Sequence, residues 1–438
     1  MKEGISKVVE RKHLLSFILI TSLFALWGFA NDITNPLVAA FRTLLEISNA
    51  KASLVQLAFY GGYFTMALPA ALFARKYSYK KGIMVGLVLY ATGAFLFYPA
   101  AKFEIFSFFL IALYILTFGL AFLETTANPY ILSMGNSETA TRRLNLAQSF
   151  NPIGSLTGMV IASKLILDAL ISDERDAAGN LLYPLKSAVE KAEIRAHDLI
   201  IIRNPYLLLG MAVLVILILI WIHKMTEYKS SDHSNVAVVF KRLLKIQRYR
   251  EGVIAQTFYV AAQIMCWTFI IQYAENLGIN KATAQNYNIM AMSLFVSSRF
   301  ISTALLKYIN PDKLLKFFAI GGMITTAGTI FILGMGGLYC LIATSAFMSL
   351  MFPTIYAISL AGLGDDVKLG AAGLIMAIVG GALMPPLQGA IIDLDIVFNI
   401  PAENISFILP FVCFVVVAIF AYRCRKYDVL KLHLNNNR

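Results

Sequence analysis

Runs of about twenty predominantly apolar residues recur along the entire chain, and no other feature limits its folding as strongly. They lie at about 14–41, 53–74, 82–101, 105–133, 141–167, 203–224, 250–275, 281–307, 312–333, 336–362, 368–393 and 403–424, which makes twelve spans. Lipid offers no partner to backbone N–H and C=O groups, so only helices or closed barrels can cross it. These runs are too long and too uniformly apolar for barrel strands. Composition agrees: 58% of the 438 residues are hydrophobic and only 14% are charged, where a soluble domain carries about a quarter. An ordinary soluble enzyme, a disordered chain and a disulfide scaffold are thereby excluded. The fold class expected is an all-α polytopic membrane protein.

The charges that remain are placed unevenly. Arg75, Lys76, Lys80 and Lys81 follow span 2, and Arg142 and Arg143 follow span 4. Lys229, Lys241, Arg242, Lys245 and Arg248 lie between spans 6 and 7, Lys313 and Lys316 follow span 8, and Arg423, Arg425, Lys426 and Lys431 close the chain. Alternate loops are short or mixed, and the long one at 168–202 balances its bases with acids. Basic loops stay on the cytoplasmic side, so both termini are expected there, as an even number of spans requires. The net charge of +12 is therefore read as topology, and nucleic acid is not expected as a partner.

The two ends of the chain resemble each other. The basic loop 75–81 corresponds to 307–316, and Asn128-Pro129-Tyr130 corresponds to Phe352-Pro353-Thr354, each at an offset near 230 residues. This predicts an N-terminal six-helix half (1–224), a cytoplasmic linker (225–249) and a C-terminal six-helix half with a cytoplasmic tail (250–438). Two halves related by an axis along the membrane normal describe the major facilitator fold, whose substrate site lies near the bilayer midplane.

Signatures of covalent or metal chemistry are missing. Cys266, Cys340, Cys413 and Cys424 form no CxxC pair, the five His show no HExxH, and neither a GxxxxGK[ST] loop nor a GxSxG elbow occurs. No cofactor, metal or catalytic residue is expected. The first apolar run is too long for a signal-peptide core and has no small-residue cleavage site, so it reads as a retained helix.

Ionisable groups inside a membrane are costly, which makes each one a functional candidate. Asp32 lies in span 1 and Glu124 in span 4. A carboxyl removed from water is held less readily as an anion, so either could exchange a proton, as a proton-coupled carrier requires. Arg299 in span 8 reads as part of a structural pair. Amides recur at helical spacing. Trp27, Asn31 and Asn35 share a face with Asp32 beside them. Glu124 and Asn128 are one turn apart; Asn145, Gln148 and Asn151 step by three; Gln256, Tyr259, Gln263 and Trp267 form a stripe on span 7. Such faces belong inside the bundle, since each unpaired amide costs free energy in lipid. Amides and carboxylates can fork onto the adjacent hydroxyls of a sugar, and an indole can stack on its C–H face. Interhelical hydrogen bonding is the bland alternative.

Glycines and prolines have packing readings. Gly154 and Gly158 make a small-xxx-small face on span 5, and Gly380-Gly381 with Pro385-Pro386 predict a bend or break in span 11.

Several segments are familiar. They are Leu26-Trp27 with Asn31, AFYGGYF at 58–64, RKYSYKKG at 75–82, LETTANPY at 123–130, RRLNLAQSFN at 142–151, AQTFYVAAQIMCW at 255–267 and SAFMSLMFPTI at 345–355. In these the chain resembles the fucose–galactose–glucose:proton symporter branch of the major facilitator superfamily, from about residue 14 to 424. The resemblance implies a multi-pass protein of the bacterial inner (cytoplasmic) membrane. Such a protein moves a monosaccharide inward with a proton, acts as a monomer and has lipid as its surroundings. It also implies that Glu124 serves sugar recognition and proton coupling, that Gln148 and Asn151 bind sugar, and that Trp27 and Trp267 are site aromatics. Two positions depart from the branch. Span 1 usually reads Asn-x-x-Asp there, whereas here Asp32 precedes Asn35, and Phe352 stands where fucose carriers have Tyr.

The expectation is a sugar:proton symporter, with L-fucose as the leading substrate. A symporter or passive uniporter for glucose, galactose or an amino sugar is the alternative. Proton coupling is assigned to Glu124 and Asp32. Sugar binding is assigned to Glu124, Trp27, Asn31, Asn35, Asn128, Gln148, Asn151, Gln256, Tyr259, Gln263 and Trp267. A membrane enzyme would need a metal or nucleophile constellation, and a sensor with a carrier-like body would usually carry an added soluble signalling domain.

Overall fold

The computed structural model describes residues 8–34, 37–47, 54–166, 169–174, 176, 182–225, 236–279, 281–392, 394, 396–397 and 400–436. Among these residues, ten helices are long and apolar enough to cross a membrane. The two remaining spans of the twelve are interrupted helices. Span 5 consists of Ala140–Gln148 and Asn151–Ile161, with Ser149 and Phe150 between them. Span 7 consists of Gln247–Thr268 and Ile270–Asn276, broken at Phe269. Both carry amide stripes, which lower their apolar character, and Pro152 at the start of the second piece of span 5 cannot donate to the preceding turn.

Spans 10 and 11 are also interrupted. Span 10 runs Met335–Met348 and then Met351–Leu360. In span 11 the helix Val367–Met376 passes through a 3-10 turn, Ala377–Val379, into Gly380–Ile392. The irregular turn ends at Val379, just before Gly380-Gly381, and the two glycines and Pro385-Pro386, where the sequence suggests a bend or break, lie within the helix that follows.

One boundary differs substantially from expectation. The sixth helix begins at Ala188, not near 203, and continues to Ile222, so much of the 168–202 loop is helical. The cause is local. Ser187 and Glu190 form a reciprocal capping box, which satisfies the free N–H groups of the first turn. Hydropathy does not register this polar, exposed extension.

The chain divides into two compact units. One comprises Met1–Arg11, Asn128–Ser149 and Ser230–Arg438; the other comprises Lys12–Ala127 and Phe150–Lys229. In the second unit, span 1 (Leu14–Thr34) packs along the helix Asn151–Ile161, and span 6 along Tyr79–Phe95. A Cβ at Gly154 would run into the Ala25 carbonyl, and one at Gly28 into the Asn151 carbonyl. The small-residue face read from the sequence thus lets two backbones touch. In the first unit, span 9 (Pro311–Phe331) packs on spans 10 and 12, and span 7 packs on spans 10, 11 and 12. The helix Ala140–Gln148 packs there on spans 8 and 10. Within the linker, Val236–Lys245 is a helix that buries Val239 and Leu243, and Arg242 holds Asp366 through two 2.6 Å bonds.

Candidate functional site

In the second unit, the polar residues gather around spans 1, 2 and 4. Trp27 is 3% exposed. Its Nε1 donates to the Tyr63 hydroxyl at 3.0 Å, and its indole stacks on Phe24 with centroids 5.1 Å apart. Asn31, one turn further on, is half-buried. Asp32 is buried and close enough to Tyr60 for the two to interact electrostatically. Glu124 stands in the same relation to Tyr63. The Glu124 side chain as a whole is half-buried, but its Oε2 is sealed from solvent and has no hydrogen-bond partner among the described residues. Asn151 donates through Nδ2 to the Phe24 carbonyl at 3.1 Å. Asn35 lies outside the described residues.

In the first unit, a second set forms. Gln148 Nε2 donates to Asn128 Oδ1 at 2.9 Å, and Asn128 Nδ2 has no partner among the described residues. Gln256 is fully buried, and neither of its amide atoms has such a partner. Tyr259 donates to the Met348 carbonyl at 3.1 Å, and its ring lies 6.3 Å from that of Phe352. Gln263 is half-buried. Trp267 donates to Ser345 Oγ at 3.2 Å and meets Phe295 edge-on at 5.0 Å.

Three donor or acceptor sets are therefore incomplete: Glu124 Oε2, Asn128 Nδ2 and both ends of Gln256. A buried polar atom left unpaired costs about 1–3 kcal/mol. Groups of this kind await a polar ligand or water, and their chemistry suits hydroxyls, which both donate and accept. Sequence reasoning did not single out Tyr60 or Tyr63. Their signal was present in the aromatic run AFYGGYF, but only the fold shows that Tyr63 bonds Trp27 and that the two tyrosines lie within electrostatic range of Asp32 and Glu124. Arg299, expected in a structural pair, bonds instead to the carbonyls of Ser349 and Gln148.

Broken helices carrying inward polar stripes within a bundle of long apolar ones define a polytopic membrane transporter. The chain matches the Major Facilitator Superfamily over residues 18–385. It belongs to that superfamily and, within it, to the fucose–galactose–glucose:proton symporter branch. It is 63% identical over 423 residues to the L-fucose-proton symporter of Haemophilus influenzae, covering 96% of this chain and 99% of that one. It is 36% identical to the L-fucose-proton symporter of Escherichia coli, covering 94% and 93%. A crystal structure of the Major Facilitator Superfamily transporter FucP in the outward conformation superposes with a TM-score of 0.85 at 34% identity, covering 94% of this chain and 99% of that one. The resemblance read from the sequence thus holds at the level of family and fold, and the relatives are transporters.

Proposed function

We propose that this protein carries L-fucose inward together with a proton across the bacterial cytoplasmic membrane, by alternating access. The observation that supports this reading most is the 63% identity, end to end, with an L-fucose-proton symporter. The orphaned Gln256, Asn128 and Glu124 atoms add to it, because they match a ligand made of hydroxyl groups. Sugar binding falls to Trp27, Asn31, Asn35, Glu124, Asn128, Gln148, Asn151, Gln256, Tyr259, Gln263 and Trp267. Proton coupling falls to Glu124 and Asp32. Residues 1–224 and 250–438 act as the two six-helix halves, joined by the linker 225–249, with both termini cytoplasmic and the monomer as the working unit.

The cycle needs no covalent step. Sugar and proton load from the outer side, the halves rock, and both are released inward. The test is uptake of labelled L-fucose, D-galactose and D-glucose into proteoliposomes, with and without an inward proton gradient. Accumulation of L-fucose that requires the gradient is expected. Uptake of none of the three sugars overturns the sugar assignment, and uptake indifferent to the gradient overturns symport.

A further inference from the structure

Arg299 is a permanent cation in the C-terminal third of the helix Lys281–Leu305, and only 4% of it is exposed. Burying a charge is costly unless something of opposite sign meets it. Among the described residues no carboxylate lies within ion-pair reach of Arg299. Its Nε donates to the Ser349 carbonyl at 2.5 Å, its Nη1 donates to the Gln148 carbonyl at 3.1 Å, and its guanidinium carbon lies 4.7 Å from the centre of the Phe295 ring.

Both carbonyls sit at helix interruptions. Gln148 closes Ala140–Gln148, and Ser349 is the C-cap of Met335–Met348. Carbonyls at a helix C-terminus lack intrahelical partners and carry the negative end of the helix dipole. Two such ends converge on one guanidinium, which explains how the charge is tolerated. Contacts nearby run the same way. Thr303, one turn beyond Arg299, bonds the Arg299 carbonyl at 2.6 Å and approaches Ser149 Oγ at 3.5 Å. Asn145 Nδ2 donates to Thr354 Oγ1 at 3.2 Å. Span 5 is therefore tied to spans 8 and 10, with Arg299 as the central tie.

We infer that Arg299 is a positioning residue that latches span 5 to spans 8 and 10 and so keeps the cytoplasmic side shut. This rests on the proposed transport cycle and orientation, in which span 5 belongs to one half, spans 8 and 10 to the other, and the halves part on that side to release sugar. Parting breaks the Arg299–Gln148 bond, and water that enters solvates the freed guanidinium. The latch is therefore strong when dry and weak when wet. Gln148 also links it to the sugar, because the residue whose carbonyl Arg299 holds offers its side chain to Asn128 and is assigned to sugar binding.

The test uses the full chain with Thr303→Cys in inside-out membrane vesicles, without sugar. The rate at which a maleimide labels that position is compared among the parent, Arg299→Met and Arg299→Lys. Loss of the latch should raise the rate about tenfold in Arg299→Met, and about two- to fivefold in Arg299→Lys, whose compact, strongly hydrated ammonium lacks the fixed planar fork that places separate N–H groups on the two carbonyls. The native, buried Cys266 should stay unreactive in both. In uptake, Arg299→Lys should raise the KM for external sugar more than it lowers the maximal rate. Unchanged labelling in Arg299→Lys overturns the inference, and so does an equal rise at Cys266, which signals general loosening. If Arg299→Met does not fold, Arg299→Lys alone decides. Labelling needs no sugar, so a failure of the fucose assignment would appear in uptake and not here.

Discussion

The side chains of Gln148 and Asn128 hydrogen-bond at 2.9 Å, donor Nε2 to acceptor Oδ1, across twenty residues of sequence. The bond fixes the orientation of both amides. It leaves Asn128 Nδ2, a donor, without a partner among the described residues. An amide fixed in this way presents its remaining atoms to a ligand at little entropic cost.

Gln148→Ala should therefore weaken sugar binding twice over, by losing one amide and by freeing the other. The dissociation constant for L-fucose should rise about ten- to a hundredfold, on the order of 1.4–2.8 kcal/mol. Asn128→Ala should do the same to within a few-fold. Equilibrium binding to purified protein checks this, and an unaltered affinity in both variants removes the pair from the site.

Glu124→Gln keeps the shape and hydrogen-bonding capacity of the side chain but cannot carry a proton. Accumulation of sugar driven by a proton gradient should be lost, while exchange of internal for external sugar should persist. Asp32→Asn should reduce gradient-driven accumulation as well. If it has no effect, Asp32 is relieved of the coupling role and Glu124 carries it alone. Parallel uptake and exchange assays on the two variants separate these outcomes.

Gly154 lies where span 1 and the second piece of span 5 touch through their backbones. Gly154→Leu has no room, because the first added carbon already meets the Ala25 carbonyl. Overpacking of this kind costs typically about 1–3 kcal/mol and more when backbone must move. The melting temperature of the purified protein should drop by several degrees. Gly389, whose added Cβ would meet nothing within 4 Å, should tolerate Ala and serves as the control.

Asp198 is fully buried within the helix Ala188–Ile222. Its two oxygens accept from the backbone N–H groups of Ile171 at 3.1 Å and Ser172 at 2.8 Å. Asp198→Ala leaves both donors unpaired, at about 1–3 kcal/mol each if water does not reach them. Hydrogen exchange at Ile171 and Ser172 should accelerate sharply. Uptake should change little, since no transport role is assigned to this residue.

Much of this protein was legible in its sequence because the bilayer imposes a simple rule. Apolar runs of fixed length must be helices. The amides at helical spacing on spans 1, 4, 5 and 7 were read as inward faces by the same reasoning, and the Gly154–Gly158 face was a local signal that the fold reproduces. Partners far apart in the chain were not legible. Nothing in the local pattern at Trp27 points to Tyr63, 36 residues away, or at Arg299 to a carbonyl 151 residues away. The early start of span 6 was missed for the opposite reason, since a capping box at Ser187–Glu190 is a polar signal that hydropathy does not weigh. By itself, then, the sequence determined the class, the spans and the polar faces, all consequences of solvation and helical period. Only the tertiary structure decided which polar atoms satisfy one another, which stay open, and that a buried arginine rests on two helix ends, because long-range packing alone brings those groups together.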